Sequence, residues 1–545
     1  MFYIELRGKF RGIVGVHPDN FYILALGGDF FRNGSGISSG PGYPDIQKNG
    51  FFGFKDFFSE AVFIYIDNGH SAVLLYELFD IIISGGRKIF RDFVTEENIF
   101  CCKRMGIYVL YRQNLFYKGG FFMFSEKIER DFLAILEEEL IPAMGCTEPI
   151  ALAFAAAKAR EILGRDPEKI IAFCSGNIIK NVRCVSIPNS GGMTGIEAAC
   201  VLGALCGDVS REMEVLESVT PEGLMESVRF IEKGGCTVEY LESPIPLHFV
   251  IRLEKGTDFA EVEVRHSHTN IVRISKNGEI LFATEDFGEA TALAERGELS
   301  VENIFDFANE VPLSKIENFA RRQIECNMAI AEKGMLGEFG IGIGKEMLEM
   351  NPGSVFMKMR AFAAAGSEAR MCGCNMPVII TSGSGNQGIA SSVPVIVYAR
   401  EKGIGEERMF RALVFSSLLT VFQKEYIGKL SAFCGAVSAS CAAGAAITYI
   451  AGGTVQQIKD TIDNTLADIP GIICDGAKSS CAAKIASALD AALFAHVLAM
   501  KGKVYEANTG IIQSDAGKTI RSVGHIGKVG MKQTDSEIVK MMIGN

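Results

Sequence analysis

Apolar and polar positions follow different rules in different parts of the chain. From residue 123 onward the pattern is regular. Ile128, Phe132, Ile135, Leu136 and Leu140 keep a 3.6-residue period, which predicts an amphipathic helix capped by Ser125 and ended by Pro142 and Gly145. Five later stretches share one form, a glycine turn followed by a run of small residues. They are "GCTEPIALAFAAAKAREIL", "IPNSGGMTGIEAACVLGALCG", "TSGSGNQGIASSVPVIVYAREKG", "KLSAFCGAVSASCAAGAAITYIAGG" and "GIICDGAKSSCAAKIASALDAALFAHVLA". Small residues permit close helix contact, so these stretches predict a compact helical domain whose loops gather at one place. Between them, over roughly 209–310, the period changes to two: "LHFVIRLE", "AEVEVRHSH" and "NIVRISKNGEILFAT" alternate, and Asn277-Gly278 is a strong hairpin turn. "TPEGLMESVRFIEKGG" reads as a helix before these strands. The expected fold is therefore mainly α, with parts at 123–208 and 311–545 and a smaller α+β domain inserted at 209–310.

The first 122 residues fit neither pattern. They hold 18 of the 38 Phe, among turn residues and with no sustained period. They carry 13 Lys and Arg against 12 Asp and Glu, whereas the rest of the chain carries 41 against 53. Codons for Lys118-Gly119-Gly120 permit a ribosome-binding sequence, with Phe121 and Phe122 as spacer before Met123. The expectation is that translation starts at Met123 and that 1–122 is translated upstream DNA, poorly ordered.

Composition narrows the class. The chain has 545 residues, 48% hydrophobic and 22% charged, enough for two to four domains with real cores. A net charge of −11 makes nucleic acid an unexpected partner. No secretory-type leader is recognisable, and a cytoplasmic location is expected. The uncharged run at 430–453 could span a bilayer by length, but it is mostly Ala, Gly, Ser and Cys; a tightly packed buried helix is expected, not a membrane span. Fifteen cysteines in a chain this long do not make a secreted disulfide framework. Cys174, Cys184, Cys200, Cys206, Cys236, Cys326 and Cys441 read as small buried hydrophobes.

The glycine-rich stretch at 337–347 does not make a nucleotide-binding signature. "GEFGIGIGKEM" lacks P-loop spacing, has Glu346 where Ser or Thr is needed, and reads as a packing or loop element. H-E-x-x-H does not occur, and the one G-x-S-x-G string, "GISSG" at 36–40, lies among the turn residues of the first segment. Cys434, Cys474 and Cys481 each lie near a glycine, where backbone can approach an inorganic centre. Three thiolates make a poor structural zinc site but suit a [4Fe–4S] cluster with one open iron. On spacing alone buried thiols are the favoured account, and Cys372 with Cys374 in "MCGCN" is a rival metal pair. Lys478 and Lys484 raise pyridoxal phosphate, but no glycine-rich phosphate loop accompanies a Schiff-base lysine, so that cofactor is not expected.

"GCTEPIALAFAAAKARE", "IPNSGGMTG", "HSHTNI", "SGSGNQG", "LSAFCGA" and "GIICDGAKSSCAAKIAS" together resemble the L-cysteine desulfidase family, itself related to the α chain of iron–sulfur L-serine dehydratases. The resemblance runs in order over 123–545 and leaves 1–122 uncovered. It implies that the helical domain is catalytic and that Cys434, Cys474 and Cys481 hold the cluster. It also implies that Cys146 is the base that takes the substrate Cα proton, and that His268 of the "SHT" turn lies near the pocket. The dehydratases space the later cysteine pair more widely, in a C-D-P loop. They can also carry a C-terminal cysteine, whereas this chain ends "VKMMIGN". The open iron should then face solvent or substrate.

The implied reaction is β-elimination from a small amino acid, L-cysteine favoured, giving sulfide, pyruvate and ammonia. L-serine or another β-substituted amino acid is the alternative. A thiolate leaving group suits iron already bound by sulfur. Cys146 at a helix start is expected to be favoured as thiolate. Helix starts after "NSGGMTG" and "SGSGNQG" offer N–H groups to the substrate carboxylate, with side chains of Thr194, Asn386 and Gln387 adding bonds. Thr147 and Glu148 complete the expected pocket; Glu148 either neutralises charge beside Cys146 or caps the helix. The sequence leaves the oligomeric state open, with a homo-oligomer one of the options.

Overall fold

The computed structural model describes residues 125–284, 294–428 and 430–543, together with the backbone of eight short strands in the first 122 residues. The chain forms two compact units, Met1–Phe122 and Met123–Asn545. In the first unit, strands pair into a three-stranded and a five-stranded sheet. The expectations of upstream translation and poor order fall on a segment whose loops and side chains lie outside the described residues.

The second unit is mainly α. The helix Glu126–Glu139 forms behind Ser125 and buries Phe132, Ile135 and Leu136 on the stripe that the 3.6-residue period marks. The uncharged run becomes the helix Gly435–Ile450, buried on nearly every side. It packs against Gly385–Glu401, Glu406–Ile427, Val455–Asp468 and Cys481–Met500. Only small side chains let so many helices approach one axis, which is why Ala, Gly, Ser and Cys dominate it. By length and apolarity Cys481–Met500 could cross a membrane, yet half of its apolar window is buried inside the protein.

The helices Thr147–Leu163 and Gly195–Cys206 lie together and cover a six-stranded sheet. Its order is Cys236–Tyr240, Lys169–Cys174, His248–Lys255, Asp258–Arg265, Ile271–Lys276, Glu279–Ala283. Asn277 and Gly278 take φ of 52° and 86°, the positive values a tight hairpin turn requires. Helix Pro221–Glu232 starts where expected, with Thr220 accepting from the Gly223 N–H.

Two features correct the expected inserted domain. The strand Lys169–Cys174 comes from outside 209–310, yet it sits inside the sheet, parallel to Cys236–Tyr240 and antiparallel to His248–Lys255. At the other end, the helix Val301–Glu310 packs on Glu406–Ile427. One hydrophobic core runs through sheet and helices alike, so no separable α+β segment is bounded by 209 and 310. "KIIAFC" escaped the period-two reading because a strand flanked on both sides, with most residues buried, has no alternation to show.

Candidate functional site

Five chain segments converge through their turns. The short strands Pro142–Met144 and Pro377–Ile379 pair, with Ala143 opposite Val378. They deliver two turns side by side, one holding Cys146 and the other holding 381–384. Thr147 Oγ1 lies 3.1 Å from the Gly383 carbonyl and bridges them. His268, on the turn after the strand Asp258–Arg265, faces the same loop: a Cβ added at Gly383 would lie 3.5 Å from His268 Cε1. The third turn holds Cys434, before the helix Gly435–Ile450. A Cβ at Gly435 would lie 2.6 Å from the Gln387 amide carbon, so only glycine lets these two helix starts meet. The fourth holds Cys474 and leads to Cys481, the first residue of Cys481–Met500. Cys481 packs beside Cys146, Val185 and Met371. The fifth leads through Val185 to Thr194 at the start of Gly195–Cys206, where the Gly195 N–H donates to the Val185 carbonyl. Thr194 itself is exposed.

Backbone bonds fix the cysteines. Cys434 N–H donates to Ile472 O at 2.8 Å and Cys474 N–H to Ala432 O at 2.7 Å, a two-stranded clamp across forty residues of chain. Gly476, at φ +96°, lets the following loop press on Lys180; a Cβ there would meet the Lys180 carbonyl at 2.1 Å. The thiols of Cys434 and Cys474 are hydrogen-bonded to one another. Cys474 is held down to about 6, chiefly by the hydrogen bond from Cys434, with Lys180 and Lys484 pulling the same way. Cys434 and Cys481 are pushed up, Cys434 chiefly by its bond to Cys474 and Cys481 chiefly by burial. Buried Lys424 lies near the pair; burial brings its ammonium down to about 8. It lines a cavity of about 30 Å³ with Glu139, Arg296, Ser382 and Glu425.

Three thiols ringed by Lys180, Lys424 and Lys484 fit an anionic iron–sulfur cluster in donor type and in charge. They do not form a single-ion site: among the described residues no three His, Cys, Asp or Glu side chains close on one ion. That distinction is expected, because each cysteine of a cluster binds a different iron. The rival pair is placed otherwise. Cys372 and Cys374 follow the helix Val355–Met371, and their charged neighbours are Glu368 and Lys333.

Cys146 Sγ donates to Glu148 Oε2 at 3.2 Å, and Glu148 Oε1 accepts from Asn181 Nδ2 at 3.2 Å. Burial pushes the Cys146 thiol well above its ordinary value, Glu148 pushes the same way, and Arg370 pulls against both. The expected thiolate is therefore not the resting form. A helix start contributes roughly 0.3–1 kcal/mol, below one pKa unit, whereas burial can move a group by about 3–5 units. Asn386 is committed elsewhere, accepting from Ser367 Oγ at 3.0 Å and donating to Met371 Sδ. Gln387 keeps a buried Oε1 with no hydrogen-bond partner. Of the cysteines expected to be buried, Cys184 is exposed and Cys206, Cys236 and Cys326 are half-buried.

Three residues escaped the sequence reading. Ser382 takes φ of 49°, rare for a side-chain-bearing residue, and its hydroxyl is buried and unpartnered. Lys424 is the second. The third is Arg370, on the helix Val355–Met371 and 1% exposed. Its signal, "SEARMCG", is one arginine near a helix end, and nothing local reveals its burial.

The fold and the site define a helical protein with cysteines gathered at helix starts. Residues 210–540 match the family described as serine dehydratase alpha chain. A UPF0597 protein of Lachnoclostridium phytofermentans is 45% identical over 414 residues, 76% of this chain and 99% of that one. A UPF0597 protein of Treponema denticola is 46% identical over 419 residues, 76% and 97% of the two chains. One from Parabacteroides distasonis is 38% identical over 425 residues. The chain belongs to the serine dehydratase alpha chain family, an iron–sulfur type that acts on small amino acids.

Proposed function

We propose that this protein is a cytoplasmic iron–sulfur lyase that eliminates the β-substituent of a small amino acid, with L-cysteine as substrate and sulfide, ammonia and pyruvate as products. One observation carries the reading: the thiols of Cys434, Cys474 and Cys481 share a neighbourhood with Cys146, and Cys146 is bonded to a carboxylate. Cys434, Cys474 and Cys481 would hold the cluster, which supplies an electrophilic iron for the leaving sulfur.

The chain's own residues handle the proton. Cys146 is a buried thiol at rest and can act as a base only after losing its proton. Glu148 Oε2, 3.2 Å away, is the acceptor, and Asn181 keeps that carboxylate oriented. The Cys146 thiolate then takes the Cα proton. The Cβ–S electron pair leaves with sulfur, and the Cα–H pair forms the Cα=Cβ bond of aminoacrylate. The free aminoacrylate becomes an imine and hydrolyses to pyruvate and ammonia. Thr147, Glu148, Thr194, His268, Asn386 and Gln387 are the proposed pocket. Gln387 has a spare acceptor for the substrate ammonium, and Asn386 acts through packing because its amide is already bonded. Residues 123–208 and 311–545 form the proposed catalytic part, with the sheet region shaping it.

The family description favours the second reading, L-serine as substrate, with hydroxide leaving in place of sulfide. The test is anaerobic reconstitution of the full chain with iron and sulfide, followed by pyruvate formation from L-cysteine and L-serine. A kcat/KM for L-cysteine well above that for L-serine, with sulfide released, supports the desulfidase. The reverse preference makes the protein a dehydratase, and turnover of neither overturns the lyase reading.

A further inference from the structure

Among the described residues Arg370 is the largest fully buried side chain, and no acid lies within ion-pair distance of it. Its Nε is buried without a hydrogen-bond partner, and among the described residues its guanidinium forms no ion pair. Two other buried cations of this body are matched. Lys180 bonds Asp535, and Arg296 bonds Glu138, Glu139 and Glu425. Lys424 shares its cavity with Glu139 and Glu425. A guanidinium stays charged inside protein, and leaving it buried and unpaired costs several kcal/mol. Such a cost persists where a ligand removes it.

The position of the group says which ligand. A Cβ at Gly385 would lie 2.3 Å from Arg370 Nε and 2.6 Å from Cζ, so the guanidinium is stacked on the first residue of the helix Gly385–Glu401. The unpaired amides of a helix start and a planar cationic fork both favour a carboxylate. Met371, the next residue, packs beside Cys146. In an α-amino acid the carboxylate is one bond from Cα, so its anchor must stand next to the base that takes the Cα proton. Resting on the elimination reading, we infer that Arg370 binds the substrate α-carboxylate and stabilises the charge that grows on it as the proton leaves. It makes the free α-carboxylate a requirement for binding and sets specificity against amines that lack one.

Two ligands separate the contributions. 3-Mercaptopropionate keeps thiol and carboxylate; cysteamine keeps thiol and amine. Each is titrated calorimetrically into the reconstituted full chain, so the result does not depend on turnover. The carboxylate ligand should bind roughly 10–100-fold more tightly than cysteamine, the range for a charge-assisted bond. Arg370→Met should erase that preference and raise KM by a similar factor, with iron content unchanged. Should that chain fail to fold, Gly385→Ala, whose methyl displaces the guanidinium, should reduce the preference. Equal binding of the two ligands by the natural chain overturns the inference, as does an undiminished preference in either substituted chain. An enzyme that turns over neither L-cysteine nor L-serine overturns the elimination reading instead, whatever the binding shows.

Discussion

On the sheet, the buried carboxylate of Glu263 is met from three sides, by His248 Nε2 at 2.9 Å, Arg265 at 2.6 Å and Arg273 at 3.3 Å. Those bonds, His248's first, hold it below the usual carboxylate range. At the helix starts the polar groups are left waiting: Arg370 has no ion pair among the described residues, and Gln387 Oε1, Thr381 Oγ1 and Ser382 Oγ have no partner. Both regions are buried, so burial alone does not explain the difference. A polar group that only supports the fold loses stability unless it is bonded, and selection for folding fills its valences. Other side-chain atoms without a hydrogen-bond partner are scattered through the body, at Asp131, Gln323 and Asp463 among others, but the group at these turns lies where a ligand is proposed to bind.

The largest effects should break the site side of this contrast. Cys146→Ser should lower kcat roughly a thousandfold with iron content unchanged, since a hydroxyl is a far weaker acid to ionise than a thiol. Cys474→Ala should lose the iron itself, measured by metal analysis and the visible spectrum. A Cys146→Ser enzyme of normal rate would remove the base from the proposed mechanism, and a persistent cluster in Cys474→Ala would remove that ligand.

His496 offers an intermediate case, a titrating group buried with a single neutral partner. It bonds Thr448 Oγ1 at 2.9 Å, and burial lowers its pKa to about 4. Between about pH 6.5 and 4 the unfolded chain takes up a proton here that the folded chain refuses. Stability is therefore full above this window and falls as pH drops through it, by up to about 3 kcal/mol. Denaturant titrations at pH 7 and pH 4.5 should show that loss, and His496→Gln should shrink it.

On the sheet side, Glu263→Gln should cost about 2 kcal/mol, because Arg265, Arg273 and His248 then face no charge. Chemical denaturation measures it, and activity should hardly change. The smallest effect is expected at the surface. Thr454 and Gln457 form a reciprocal cap on the helix Val455–Asp468, and Thr454→Ala should cost about 1 kcal/mol with kcat and KM unaltered.

Much of this architecture is legible locally. Phe132, Ile135 and Leu136 announce their helix by period, and Asn277-Gly278 announces its hairpin. The small-residue stretches announce helices that pack closely, and the turns before them do gather. The strand Lys169–Cys174 is not legible, because burial on both sides removes the alternation that marks a strand. Nor is the sheet's union with the helices of 123–208, which depends on contacts far along the chain. In the site, nearby glycines make Cys434, Cys474 and Cys481 candidates, but their proposed role and that of Cys146 rest on the family resemblance. Arg370 could not be named: an arginine near a helix end looks the same whether it lies in water or under a neighbouring helix.

The sequence by itself determined the amphipathic and small-residue helices, the alternating hairpin strands and which turns carry thiols, because those choices depend on neighbours a few residues away. Only the tertiary structure decided that Cys146 rests as a thiol against Glu148, that Cys434 and Cys474 are hydrogen-bonded, and that Arg370 is buried with no ion pair among the described residues. Protonation and pairing depend on burial and on charges brought together from hundreds of residues apart, and no local pattern encodes them.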